Sequence, residues 1–218
     1  MRELRTVALQ TPEVRAATEE GADVLEFTGH AAVFNEPTWI GSKRWGFKEV
    51  VDPGFFRDVL NDPVAFLVNH DPNQLLARNG NTMTLSVDDR GLVPVAQWDA
   101  GDPDAAMWAG RVRRGDITQM SFSFDVAEDS WLFDEDTGEE TRTLLTASAL
   151  YDVSLVTYPA YAGTDGAMRD QAAEVVKRHR GYDPRTEDRP LTRRKQHLTA
   201  QERAAAQAAR WRLELPTA

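Results

Sequence analysis

Cysteine is absent from the 218 residues, which excludes disulfides, a thiol nucleophile and any cysteine-based metal site. That absence fits a reducing compartment. Histidine is scarce, at four residues. No apolar run reaches the length of about 18 residues that a membrane-crossing helix needs. The N-terminal MRELRTVALQTPEVR has no apolar leader region, so secretion is not expected. H-E-x-x-H, a phosphate-cradling glycine loop and a G-x-S-x-G nucleophile elbow are all missing. The acidic run DEDTGEE lacks the alternating ligand spacing of a calcium loop, and the four histidines are too scattered for a ligand set; no metal or cofactor is expected. Basic residues are also in deficit, 25 Lys and Arg against 35 Asp and Glu, for a net charge of −10. Residues 1–166 hold 13 basic and 28 acidic residues, net −15, whereas residues 167–218 hold 12 and 7, net +5. An acidic body cannot supply the cations that phosphate contacts require, so nucleic acid is not an expected partner.

What is present is a chain with 41% apolar and 28% charged residues, enough for one ordinary domain with an appendage. β patterning begins at VLEFTGHAAVFN, interrupted by glycine. FKEVV reads as a short strand, and Asp52-Pro53 as the cap and first position of a short helix over PGFFRDVLND. VAFLVN is a short buried strand, TMTLSVDD-RG-LVPVAQW a hairpin, and Pro94 within it suggests an edge or a bulge. Asp102-Pro103 repeats the cap signal for a helix that Gly115 ends. Strands follow at TQMSFSFDVA, SWLF, RTLLTASA and LYDVSLVTYP. The fold class expected is α+β: a mostly antiparallel β barrel or sheet with short helices, carrying a C-terminal helical extension. The domain break is set at 166/167. Beyond it lie a helix over AMRDQAAEVVKRHR, a proline- and charge-rich linker at 182–196, and a last helix opened by the capping box at 199–202.

Three polar positions matter chemically. His70 ends an apolar strand in FLVNHDP, where a scaffold can present a side chain to a cleft; it either caps a turn or serves as a base. Ser121 lies in QMSFSFDV, with Met120, Phe122, Phe124 and Val126 on one face and Ser121, Ser123 and Asp125 on the other. The hydroxyl is thus either rigidly mounted on an aromatic-backed strand or simply turned to water. Asp152 lies inside ALYDVSLVTYP, where a buried carboxylate needs a partner. Histidine or an arginine such as Arg111, Arg113 or Arg114 would serve; otherwise it faces water. His30 reads as structural, and His179 and His197, flanked by Arg and Lys, as solvated.

In order, these segments resemble the prohead maturation proteases of tailed phages, serine peptidases similar in fold to the herpesvirus assemblin proteases. The resemblance covers roughly residues 24–165. TGHAAVFN is similar to the family's Gly-aromatic-Ala-x-x-Phe-Asn run, with His30 at the aromatic position. FKEVVDPGFFRDVL follows, then VAFLVNHDPNQLLAR, similar to the His block, and DITQMSFSFDV, similar to the Ser block with Ser123 where glycine is usual. LYDVSLVTYPAYAGT is similar to the closing block, where relatives often carry Glu at the position of Asp152.

The resemblance implies a herpesvirus-protease-like fold and a catalytic set of His70, Ser121 and Asp152, in the assemblin order His, Ser, third member. It implies a serine endopeptidase without cofactor, acting inside the immature prohead in the host cytoplasm. Its substrates would be scaffold segments of the major capsid protein and the protease itself, with a homodimer as a further partner and no membrane. The basic extension 167–218 would be a removable or targeting segment. Catalysis also needs an oxyanion hole, for which the amides near Arg113, Arg114 and Gly115 are the candidates. Two rivals follow: a catalytically inactive scaffolding protein on the same fold, and a metal-assisted hydrolase using His70 and Asp71.

Overall fold

A computed structural model describes residues 2–8, 12–19, 22–42, 44–157 and 166–185. The final helix expected from residue 199, most of the linker at 182–196, and His197 lie outside the described residues. The chain forms two compact units, each assembled from separated segments. The first comprises Met1–Glu36, Val51–Asp129 and Leu144–Tyr161, and the second Pro37–Val50, Ser130–Thr143 and Ala162–Ala218.

The first unit holds two sheets. In one, β1 (Glu3–Ala8), β11 (Gln119–Phe133), β12 (Glu140–Leu155), β7 (Ala65–Val68) and β8 (Asp71–Arg78) are neighbours in that order. β1 runs antiparallel to β11 and β8 antiparallel to β7, whereas β7 runs parallel to β12, with Asp152 opposite Ala65 and Leu155 opposite Val68. The other sheet has the order β2 (Glu13–Glu19), β3 (Ala22–Thr28), β10 (Gly91–Asp99), β4 (Ala32–Val33), with β9 (Met83–Val87) also paired to β10. Among the described residues these are open sheets, not closed barrels, so the barrel alternative is corrected. Among the described residues the architecture is α+β and mostly β, with two short helices.

Local chemistry accounts for most of these elements. The period-two face of β11 is realised: Met120, Phe122 and Phe124 have no exposed surface. They join Phe27, Phe55, Phe56, Phe66 and Trp98 in one core. Phe122 stacks on Phe124 with centroids 4.8 Å apart, and Phe55 and Phe56 meet them edge-on. Burying such a ring contributes about 1.5–3 kcal/mol. In the β9–β10 hairpin the Asp88 carboxylate accepts from the amides of Arg90 and Gly91 at 2.8 and 2.9 Å. Pro94, expected at an edge or bulge, lies between the part of β10 that pairs with β4 (Gly91 and Leu92) and the part that pairs with β3 (Val95 to Asp99). A residue without an N–H is tolerated at that break. Helix α1 (Pro103–Arg113) starts where Asp102 accepts from the Asp104 amide at 2.9 Å, and Gly115 follows its end with φ +77°.

The helix expected over 53–62 is instead a series of turns. Phe55, Arg57 and Val59 each donate to the carbonyl three residues earlier, and Asp52 caps the amide of Gly54. An Asp-Pro start serves a turn as well as a helix, since both need a satisfied first amide.

The second unit contains β5 (Thr38–Ile40), β6 (Phe47–Val51) as far as Val50, the remaining lengths of β11 and β12, and α2 (Gly166–Arg180). Ile40, Phe47, Ala172, Val175 and Val176 form its buried core, flanked by Trp45 and Trp131. His179, expected to be solvated, stacks on Trp131 with centroids 3.9 Å apart. Arg142 and Glu49, both buried, pair at 3.0 Å.

Candidate active site

Three neighbouring strands of the first unit converge on one imidazole. β11 carries Ser121, β12 carries Asp152, and the turn leaving β7 carries His70. His70 Nδ1 lies 2.6 Å from Asp152 Oδ1, and Nε2 lies 2.7 Å from Ser121 Oγ. A carboxylate only accepts, so Nδ1 carries the proton and Nε2 presents its lone pair to the hydroxyl.

The turn that aims the ring is unusual. Asn69 and His70 both adopt the left-handed region, at φ +51° and +57°, which non-glycine residues rarely enter and Asn and His tolerate best. Neighbouring groups hold it there. The Asn69 amide donates to the Leu155 carbonyl at 2.8 Å, its side-chain oxygen accepts from the Thr157 amide at 2.9 Å, and its side-chain nitrogen donates to Thr157 Oγ1 at 3.0 Å. The His turn is thereby tied to the chain just beyond Asp152. After it, Asp71 accepts from the amide of Asn73 at 2.9 Å and starts β8.

Asp152 is 1% exposed and fully engaged. Oδ1 accepts from His70 and from Ser154 Oγ at 2.7 Å, and Oδ2 accepts from Arg2 at 2.5 Å. Burial is the largest single influence on its carboxyl and pushes the pKa up. The hydrogen bond and charge of His70, the Ser154 hydroxyl and the Arg2 charge together hold it below the usual Asp value. The carboxylate therefore stays ionised at neutral pH. Its partners are thus a histidine and an arginine, but not one of the arginines expected: Arg111 lies over the Trp108 ring and Arg114 pairs with Asp116.

Ser121 is 1% exposed and Ser123 is fully buried, so the polar face of β11 does not open to water. The Ser121 hydroxyl also lies 2.8 Å from the Arg5 carbonyl of β1, and Ser123 accepts from Arg2. Two of the three amides considered for an oxyanion hole are committed elsewhere. Those of Arg114 and Gly115 donate to the carbonyls of Gly110 and Val112 at 3.1 and 2.9 Å, closing α1.

A family model described as caudovirus prohead serine protease matches residues 10–179. The chain belongs to that family. It is also 28% identical over 160 residues to the prohead protease of Enterobacteria phage HK97, an alignment covering 72% of this chain and 64% of that relative. The chain thus spans under two thirds of the length of the curated relative it matches. No solved structure matches it. Within this prohead protease family member, the three positions taken from the resemblance, His70, Ser121 and Asp152, lie within hydrogen-bond reach of one another through the imidazole. His30, read as structural, contacts Asp88 at 3.0 Å.

Sequence reasoning missed Arg2, Ser154, the Arg5 carbonyl and the Asn69–Thr157 clamp. Ser154 was within reach, because period two puts it on the face of Asp152. Arg2 has no local signal: its partners stand about 120 and 150 positions away in the chain.

Proposed function

We propose that this prohead protease family member is a serine endopeptidase whose nucleophile is Ser121, whose general base is His70 and whose orienting carboxylate is Asp152. The observation that carries the reading is the single imidazole placed 2.7 Å from the hydroxyl and 2.6 Å from the carboxylate. A serine hydroxyl is protonated at neutral pH and needs an adjacent base. Oγ attacks the peptide carbonyl carbon as its proton passes to His70 Nε2. Collapse of the tetrahedral adduct breaks the C–N bond, and Nε2 returns the proton to the leaving amine. Water then hydrolyses the acyl-enzyme by the same relay. Asp152 keeps the proton on Nδ1 and stabilises the imidazolium without taking the proton itself.

The substrates we propose are scaffold segments of the capsid protein within the immature prohead, and the protease itself. The family membership and the name of the phage HK97 relative support this substrate class. The order His, Ser, third member is that of the assemblin proteases. A catalytically inert assembly role is not favoured, since it has no use for a base held between hydroxyl and carboxylate. Ser121→Ala should lower cleavage of the capsid substrate by about 10⁴-fold or more while leaving the circular dichroism spectrum unchanged. Undiminished processing by that variant overturns the assignment.

The extension 167–218 is proposed as a targeting segment or, beyond a cut within the linker at 182–196, as a removable one. A cut there leaves α2, and hence the core formed by Ala172, Val175 and Val176, in place. Mass spectrometry of mature particles should find the protease ending between residues 182 and 196; an intact Ala218 contradicts removal.

A further inference from the structure

The peptidase reading leaves one contradiction: the hydroxyl that must meet a substrate is 1% exposed. What covers it is the chain's own first strand. β1 pairs with β11 over six residues, with Thr6 directly opposite Ser121, and stands at the end of the strand order. The Arg5 carbonyl accepts from Ser121 Oγ at 2.8 Å, so a main-chain carbonyl of an extended segment already sits on the nucleophile.

That contact also bears on the chemistry. A serine hydroxyl has one proton, and here two acceptors lie at similar range, the Arg5 carbonyl at 2.8 Å and His70 Nε2 at 2.7 Å. While the proton points at Arg5, it is not directed at the base. The strand is latched at its outer end, where Arg2 binds Asp152 and Ser123 and its guanidinium lies 4.9 Å from the centre of the Tyr151 ring. The match to the family model begins at residue 10, after β1.

We propose that β1 is an intramolecular occupant of the substrate edge: an extended peptide pairs antiparallel with residues 119–124 of β11, and Ser121 is productive only when β1 has left. This rests on the peptidase reading and adds to it the substrate's binding mode and a built-in competitor. Addition of a strand to a sheet edge draws its affinity from main-chain hydrogen bonds, which β1 supplies in cis at an effective concentration on the order of millimolar. Dilute peptides therefore compete poorly with it.

The test is the rate at which a fluorophosphonate labels Ser121, which needs an activated hydroxyl but no peptide substrate. Because the chain lacks cysteine, Leu4→Cys with Ser123→Cys introduces a single reducible staple between partners that face each other in the β1–β11 register. The oxidised form should label at least tenfold more slowly than the same protein after reduction. In a second full-length variant, Thr6→Pro, which weakens the pairing of β1, labelling should be at least fivefold faster than in the parent chain. Equal rates for oxidised and reduced staple, or no acceleration in Thr6→Pro with its melting transition retained, overturn the proposal while leaving the peptidase reading intact. Absence of labelling in the parent, the reduced staple and Thr6→Pro alike defeats both.

Discussion

Asp152 meets the largest cost in the site, a carboxylate with 1% exposure, and the structure offsets it by giving that group three donors rather than one. His70, Ser154 and Arg2 share its two oxygens. An acceptor-only group at this point dictates the imidazole tautomer, and an amide would not. Asp152→Asn is therefore expected to reduce cleavage by about 10⁴-fold with little change in fold, because the side-chain NH₂ donates toward Nδ1 and drives the proton to Nε2. Steady-state kinetics with a peptide substrate, alongside a thermal melt, measures this; a loss below tenfold removes Asp152 from the orienting role.

At the scale of elements, the decisive one is the turn between β7 and β8. Two successive left-handed residues cost roughly 1–2 kcal/mol each without glycine, and the Asn69 side chain restrains them through Thr157. Asn69→Ala should lower stability by about 1–3 kcal/mol from two lost hydrogen bonds and added strain. It should also lower kcat, because the ring loses its aim. Urea denaturation and kinetics on the same variant check both; unchanged values mean that the clamp is dispensable. The turn was visible in the sequence as a polar Asn-His-Asp-Pro stop after an apolar run, and so was the aromatic backing of Ser121, because both signals are local. The turns at 53–62 were misread because their Asp-Pro opening is shared with helices. The pairing of β1 beside Ser121 carries no local signal, since it lies in a register with residues more than 110 positions away.

For the molecule as a whole, acid should be the sensitive direction. The Asp152 carboxyl lies below its ordinary range: burial pushes it up, and His70, Ser154 and Arg2 outweigh that. Asp88 is also held low, burial again opposed by the amides of Gly91 and Arg90 and by His30, and Asp183 is drawn down to about 2 by Arg185. A group depressed in the folded state adds stability that is full above its unfolded pKa, about 3.9 for Asp, and that disappears as the pH falls through the folded value. Urea midpoints should be level from pH 5 to 7 and fall between pH 4 and 2; a midpoint at pH 3 equal to that at pH 6 contradicts this account. The second unit has a different kind of vulnerability. Three of its five buried core side chains, Ala172, Val175 and Val176, come from α2, and the other two, Ile40 and Phe47, are made more than 120 residues earlier. During synthesis, Ile40 and Phe47 leave the ribosome many seconds before their partners exist, at ordinary rates of about 5–20 residues per second. A nascent chain halted before residue 176 therefore presents a greasy, half-built surface that chaperones can engage, and completion of α2 is the event that hides it.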